Sequence, residues 1–165
     1  MRRIDREITD FDTIVSMIDE CMILRIGLSD GDCPYIVPLN FSYTIKDKEI
    51  YFYIHGAMAG RKYELLNKNK VCSFEMDRAL KMDCLTEKKD VTMRYKSVMG
   101  ECSVRNITDP EEKKKIVDTI IMNRYEQTRG FQYNEKVLPR TAIFELKVMQ
   151  LSAKANLLNS GADVE

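Results

Sequence analysis

The chain has 165 residues, 44% of them apolar and 32% charged, and its 26 Lys and Arg balance its 26 Asp and Glu. That length suits one domain with a core of its own, and the zero net charge argues against a nucleic-acid footprint, which would show a basic excess. No apolar run approaches the length of a membrane-spanning helix. The opening MRRIDREITD carries charges without an apolar stretch, so no secretory signal and a cytoplasmic location are expected.

The first element in chain order is an amphipathic helix, capped by Thr9 or Asp10, with Phe11, Ile14, Val15 and Ile18 on one face. Met22–Leu28 reads as a strand and Ser29-Asp30-Gly31-Asp32 as a turn. Tyr35–Ile45 reads as one long strand. Pro38 inside it cannot donate a ladder hydrogen bond, so it marks an edge, a bulge or a place where something else lies alongside. After the turn Lys46-Asp47-Lys48, Glu49–His55 alternates, with Ile50, Phe52 and Ile54 on one face and Tyr51, Tyr53 and His55 on the other.

A short helix through Tyr63–Leu66 follows, then a strand at Val71–Met76. Residues 78–90 read mostly as loop. Thr92–Val104 reads as a long strand with Gly100 at a bulge. Asp109-Pro110-Glu111-Glu112 is a helix start, with a cap, proline at the first position and the glutamate of a capping box; the helix continues to Arg124-Tyr125. Thr141–Leu151 is the last strand. One domain is expected over residues 1–154, with 155–165 a frayed tail. The order of elements suits a mainly antiparallel sheet or small barrel with helices outside it, an α+β arrangement.

The five cysteines, Cys21, Cys33, Cys72, Cys84 and Cys102, are odd in number and none makes a CxxC pair. With His55 the single histidine, this reads as reduced thiols, several packed as small hydrophobes, and no metal site is expected.

That histidine sits in the stretch IHGAMAGRK, Ile54–Lys62. The stretch fails the GxxxxGK[ST] phosphate-loop pattern, because its glycines are too close, Arg61 intervenes before Lys62, and Tyr63 stands where a hydroxyl should bind metal. Two readings remain open. If the helix starts near Gly60, Arg61 and Lys62 lie in its first turn against the macrodipole, an arrangement that makes sense with an anion at the helix end. If it starts at Ala57, both cations lie mid-helix on a solvated face. Two further clusters have the same double character. Arg94-Tyr95-Lys96-Ser97-Val98 is either an exposed cationic face or a hydroxyl and cations turned to a ligand. Val37-Pro38-Leu39-Asn40 is either an edge strand or backbone offered to a flat heterocycle.

These segments, in this order, resemble the pyridoxamine 5′-phosphate oxidase-like family of flavin-binding split β-barrels, and most closely its nitroimidazole-resistance branch. The carriers are RRIDREITD (2–10), PYIVPLNFSY (34–43), YFYIHGAMAGRKYELL (51–66), RYKSVMGE (94–101) and RTAIFELKVMQLSAK (140–154). The resemblance implies a six-stranded antiparallel split barrel with flanking helices, and a homodimer with FMN at each of two sites between subunits. It implies that Val37, Pro38, Leu39 and Asn40 lie along the isoalloxazine ring and that Ile54 and His55 lie close to it. Gly60, Arg61 and Lys62 would carry the phosphate, and Ser97 and Val98 would help close the site. It further implies an FMN-dependent oxidoreductase acting on a small molecule such as a nitroaromatic, with His55 a proton donor or substrate contact. The alternative is a non-catalytic dimer holding FMN or haem. Two departures stand out. The arginine-bearing R-L-x-P ending of true pyridoxamine phosphate oxidases is replaced by Ser152–Leu158, so that oxidase activity is not expected. Gly60 also stands where the family often has serine.

Overall fold

Alternating apolar residues build a single antiparallel sheet in the computed structural model, which describes residues 3–87 and 89–157. Its strands are β1 (Glu7–Ile8), β2 (Leu24–Leu28), β3 (Tyr35–Leu39), β4 (Ser42–Lys46), β5 (Glu49–Ala57), β6 (Val71–Leu85), β7 (Asp90–Ile107) and β8 (Thr141–Asn156). The order across the sheet is β3-β2-β6-β7-β8-β5-β4, and β1 pairs with the far end of β8. Helices α1 (Phe11–Asp19), α2 (Arg61–Lys68) and α3 (Pro110–Ile116) complete the elements that frame the site. This is the expected α+β, mainly antiparallel split barrel.

The sheet has eight strands where six were expected. The run read as one strand over Tyr35–Ile45 breaks at Asn40-Phe41, where Phe41 turns inward and meets Phe52 edge-on at 5.6 Å. β3 and β4 are therefore consecutive in the chain yet form opposite edges of the sheet, and the barrel stays open between them. Pro38 lies on edge strand β3, opposite Arg25, where its missing N–H breaks no second ladder. The two-residue β1 is the other addition.

Residues 78–90, read as loop, instead extend β6 and β7 into a hairpin arm paired as far as Leu85 and Asp90, with a bulge at Leu80. Both faces of the arm are largely exposed, so the alternation that marks a half-buried strand is absent there. One acid on it is buried, Asp83, held by Arg94 and by Lys81 at 3.3 Å.

Both faces of the central strands are covered, so there are two cores. Ile50, Phe52 and Ile54 of β5 point into the barrel interior with Leu24, Ile26, Met76, Val98 and Phe144. Tyr53 points the other way, packing with Ile107, Ile143, Ile116 and Val117 beneath α3. Helix starts follow the sequence signals. Asp10 accepts from the Thr13 N–H at 2.8 Å, and Asp109 accepts from the Glu112 N–H at 2.8 Å. The capping box at α3 is only half made, because Glu112 turns its carboxylate to Arg105, at 2.8 Å. α3 is also shorter than expected: it passes into a π-helical turn over Val117–Ile121 and then short 3-10 segments.

At the β7–β8 pairing the register shifts between Glu101 and Cys102, with Met149 the extra residue on β8. Gly100 beside it is required by close approach, since a Cβ there would sit 2.1 Å from the Gln150 carbonyl oxygen. β8 runs to Asn156, whose side-chain amide donates to the Met93 carbonyl at 2.6 Å, so the frayed tail does not begin at 155. The rest of the expected tail, from 158 on, lies outside the described residues.

Candidate functional site

α2 starts at Arg61, preceded by Gly60 at φ 89° with no side-chain cap. The first of the two sequence readings of IHGAMAGRK is thus the one observed, and Gly60 is glycine because that left-handed turn disfavours a side chain. The first intrahelical bond is made by the Glu64 N–H to the Gly60 carbonyl. The amides of Arg61, Lys62 and Tyr63 consequently point out of the helix end without helical partners.

The two cations of that turn diverge. Arg61 reaches across to the β2–β3 turn, where its guanidinium pairs with Asp30 at 2.6 Å and stacks over Tyr35 at 4.7 Å. Lys62 folds back over β5, its ammonium lying beside Gly56. None of the described residues is an acid paired with Lys62.

His55 lies near the end of β5 on its outward face, opposite Ile143 of β8, and is exposed. Partial enclosure by surrounding atoms, and then the charge of Lys62, hold its pKa below the usual 6.5. Ile54 beside it is buried in the barrel core, so only its backbone faces this region.

His55 and Gly56 form one wall of a cavity of about 540 Å³, and the opposite wall is Asn134, Lys136 and Arg140 of the segment before β8, with Thr141 at the start of that strand. The pairing of Ala57 with Thr141 brings the two walls together. These wall residues were missed by sequence reasoning. The signal available was two cations in NEKVLPR, but nothing local says that this segment faces His55; a contact between β5 and β8 does.

The other expected site residues lie elsewhere. β3 begins at Tyr35, beside Arg61, and ends at Leu39, which pairs with Leu24. Along this edge Pro38 and Asn40 are exposed, Val37 is half-buried and Leu39 is in the core. Ser97 and Val98 pair with Lys154 and Ala153, whereas His55 pairs with Ile143 at the other end of β8. That separation amounts to roughly 30 Å of extended strand. Val98 is a core residue, and Ser97 is half-buried. The cationic face read at Arg94 and Lys96 is neutralised: Arg94 pairs with Asp83, and Lys96 with Glu20 at 2.5 Å. Within one chain, then, Gly60, Lys62 and His55 come together, Arg61 sits next to the β3 edge, and Ser97 and Val98 stand apart.

The profile of the pyridoxamine 5′-phosphate oxidase family matches residues 10–155, which takes in every one of these segments. The chain belongs to that family. Among solved structures it is similar to a proposed 5-nitroimidazole antibiotic resistance protein from Bacteroides thetaiotaomicron, with 29% identity, 90% of this chain and 86% of that one covered, and a TM-score of 0.76. This likeness accords with the nitroimidazole-resistance branch that the sequence resembles. Its fold is also that of the FAD and haem binding protein from Mycobacterium smegmatis (16% identity, 92% and 73% covered, TM-score 0.75). The same holds for an FAD-binding protein from Mesorhizobium loti (16% identity, 92% and 98% covered, TM-score 0.67). Among curated proteins none matches significantly. Among the described residues no helix is long and apolar enough to cross a membrane, and no group of acids, cysteines and histidine is arranged to hold a metal ion.

Proposed function

We propose that the protein binds a flavin, FMN in the first instance, and acts as a small-molecule oxidoreductase, with nitroaromatics as the substrate class to try first. The observation that carries this reading is the uncapped start of α2. Free amides at the helix start, flanked by Lys62 and by Arg61 on its Asp30 partner, offer an anion cradle next to an open strand edge, which is the chemistry that a flavin phosphate and its flat ring need. The residues present fit the group: the cradle is positive, and β3 offers edge backbone alongside it. A bound flavin would supply two-electron transfer. The protein would supply the clamp, exclude water from the ring and place His55 to pass a proton or contact the substrate.

The same reading includes a homodimer. Ser97 and Val98 are too far from His55 to meet one flavin in one chain, whereas a second copy laid against the first can bring its own Ser97 to the site. The structures similar to this chain include an FAD and haem binding protein, so haem remains the second reading, with His55 its possible histidine ligand.

The test is a single-turnover experiment. Flavin-loaded protein is reduced chemically without oxygen and mixed with a nitroaromatic. Reoxidation of the flavin faster than in free solution supports catalysis, and a rate no faster than free flavin removes it.

A further inference from the structure

The chain is neutral as a whole, yet the cavity beside His55 is not. Lys136 and Arg140 stand on its wall, and the ammonium of Lys62 lies behind it, beside Gly56 on the opposite face of β5. Among the described residues, no acid lines it. Glu135, next in sequence to Lys136, is drawn away by Lys114 at 2.6 Å. By contrast, the cations on the neighbouring faces are answered: Lys114 by Asp118 and Glu135, Arg105 by Glu112 and Glu145, Arg61 by Asp30. Cations without an acid partner among the described residues, gathered around a concave space, raise its positive potential and draw an anion into it.

We infer that this cavity is a second anion subsite, separate from the flavin-phosphate cradle at the start of α2, in which Arg140 and Lys136 hold a phosphate or carboxylate. Its size suits a small organic group. The planar guanidinium of Arg140 can grip either anion in two-point fashion, and Lys136 adds a point charge. Asn134 and Thr141 offer neutral hydrogen-bonding groups on the same wall. The anion has two chemical sources: the second phosphate of a flavin dinucleotide, or an acidic group on the substrate. The inference rests on the proposed flavin reading for its first source and stands without it for the second.

The experiment is calorimetry of the wild-type protein and of Arg140→Ala and Lys136→Ala with FMN, FAD, benzoate and benzamide. Both side chains are exposed, so the variants should fold, and melting temperatures within about 2 °C of wild type will show it. If the variants weaken FAD on the order of tenfold and leave FMN within about twofold, the subsite takes the dinucleotide's second phosphate. If instead benzoate binds more tightly than benzamide and the variants erase that preference while sparing both flavins, it takes an acidic substrate. Loss of FMN and FAD affinity to the same degree would overturn the inference, since the cavity would then belong to the shared phosphate; so would no change with any ligand. Failure of the flavin reading shows separately, as wild-type protein that binds neither flavin.

Discussion

Lys62 lies so close over Gly56 that a Cβ added to the glycine would fall 2.7 Å from its ammonium nitrogen. The glycine thus sets where the cation rests, between the start of α2 and the inner side of β5, across the strand from the cavity at His55. Because the crowded atom is the far end of a flexible side chain, Gly56→Ala should change stability by less than about 1 kcal/mol. It should nevertheless displace Lys62 and weaken FMN binding several-fold. Fluorescence titration of FMN together with thermal melts checks both halves.

His55 is the only histidine, so its ring protons give isolated signals in an NMR titration. Its folded-state pKa is depressed, first by partial enclosure and then by Lys62. The sign follows from linkage: above the unfolded value of about 6.5 the ring is neutral in both states and costs nothing. As pH falls through 6.5 towards the folded pKa, the unfolded chain takes up the proton first, and stability drops. The loss is complete below the folded pKa. Lys62→Met should raise the measured pKa, and bound FMN or another anion should raise it as well. A pKa that moves in neither case would place Lys62 and the anion away from the ring.

Arg61 is committed to Asp30 and Tyr35, both at the surface turn of β2 and β3. Exposed pairs contribute at most about 1 kcal/mol, so Arg61→Ala should barely change the melting temperature. A hydrogen bond to a charged phosphate is worth about 1.5–3 kcal/mol, so the same change should weaken FMN binding tenfold to a hundredfold. Asp30→Asn releases the guanidinium and should tighten FMN. An FMN dissociation constant insensitive to both would leave Arg61 with a purely structural task.

Arg124 has no part in the site but joins distant pieces of chain. Its guanidinium pairs with Asp19 at 2.6 Å, donates to the carbonyls of Asp19 and Cys21 at 3.3 Å, and stacks on Phe41, Tyr43 and Tyr125. It pins the end of α1 to the break between β3 and β4. Arg124→Ala should cost about 3 kcal/mol, and Arg124→Lys should recover little of it, because an ammonium cannot fill the planar stack. Denaturant unfolding of the two variants measures the difference.

The features legible in the sequence were those with a local cause. The alternation of Glu49–His55, the caps at Asp10 and Asp109 and the edge role of Pro38 all appear as read. The misread elements had non-local causes. Nothing near Asn40-Phe41 says that Phe41 will leave the strand to meet Phe52, and the β6–β7 arm has no buried face to imprint a period. The site divides in the same way. The start of α2 after Gly60 was legible as one of two readings, whereas Lys136 and Arg140 come to line one cavity with His55 only through the β5–β8 register.

The most direct test is the visible absorption spectrum of the freshly purified protein, taken before and after acid release of any chromophore. The account predicts two flavin bands and about one released FMN or FAD per chain. A Soret band would replace flavin with haem, and a colourless protein that takes up neither added flavin would contradict the account at its centre.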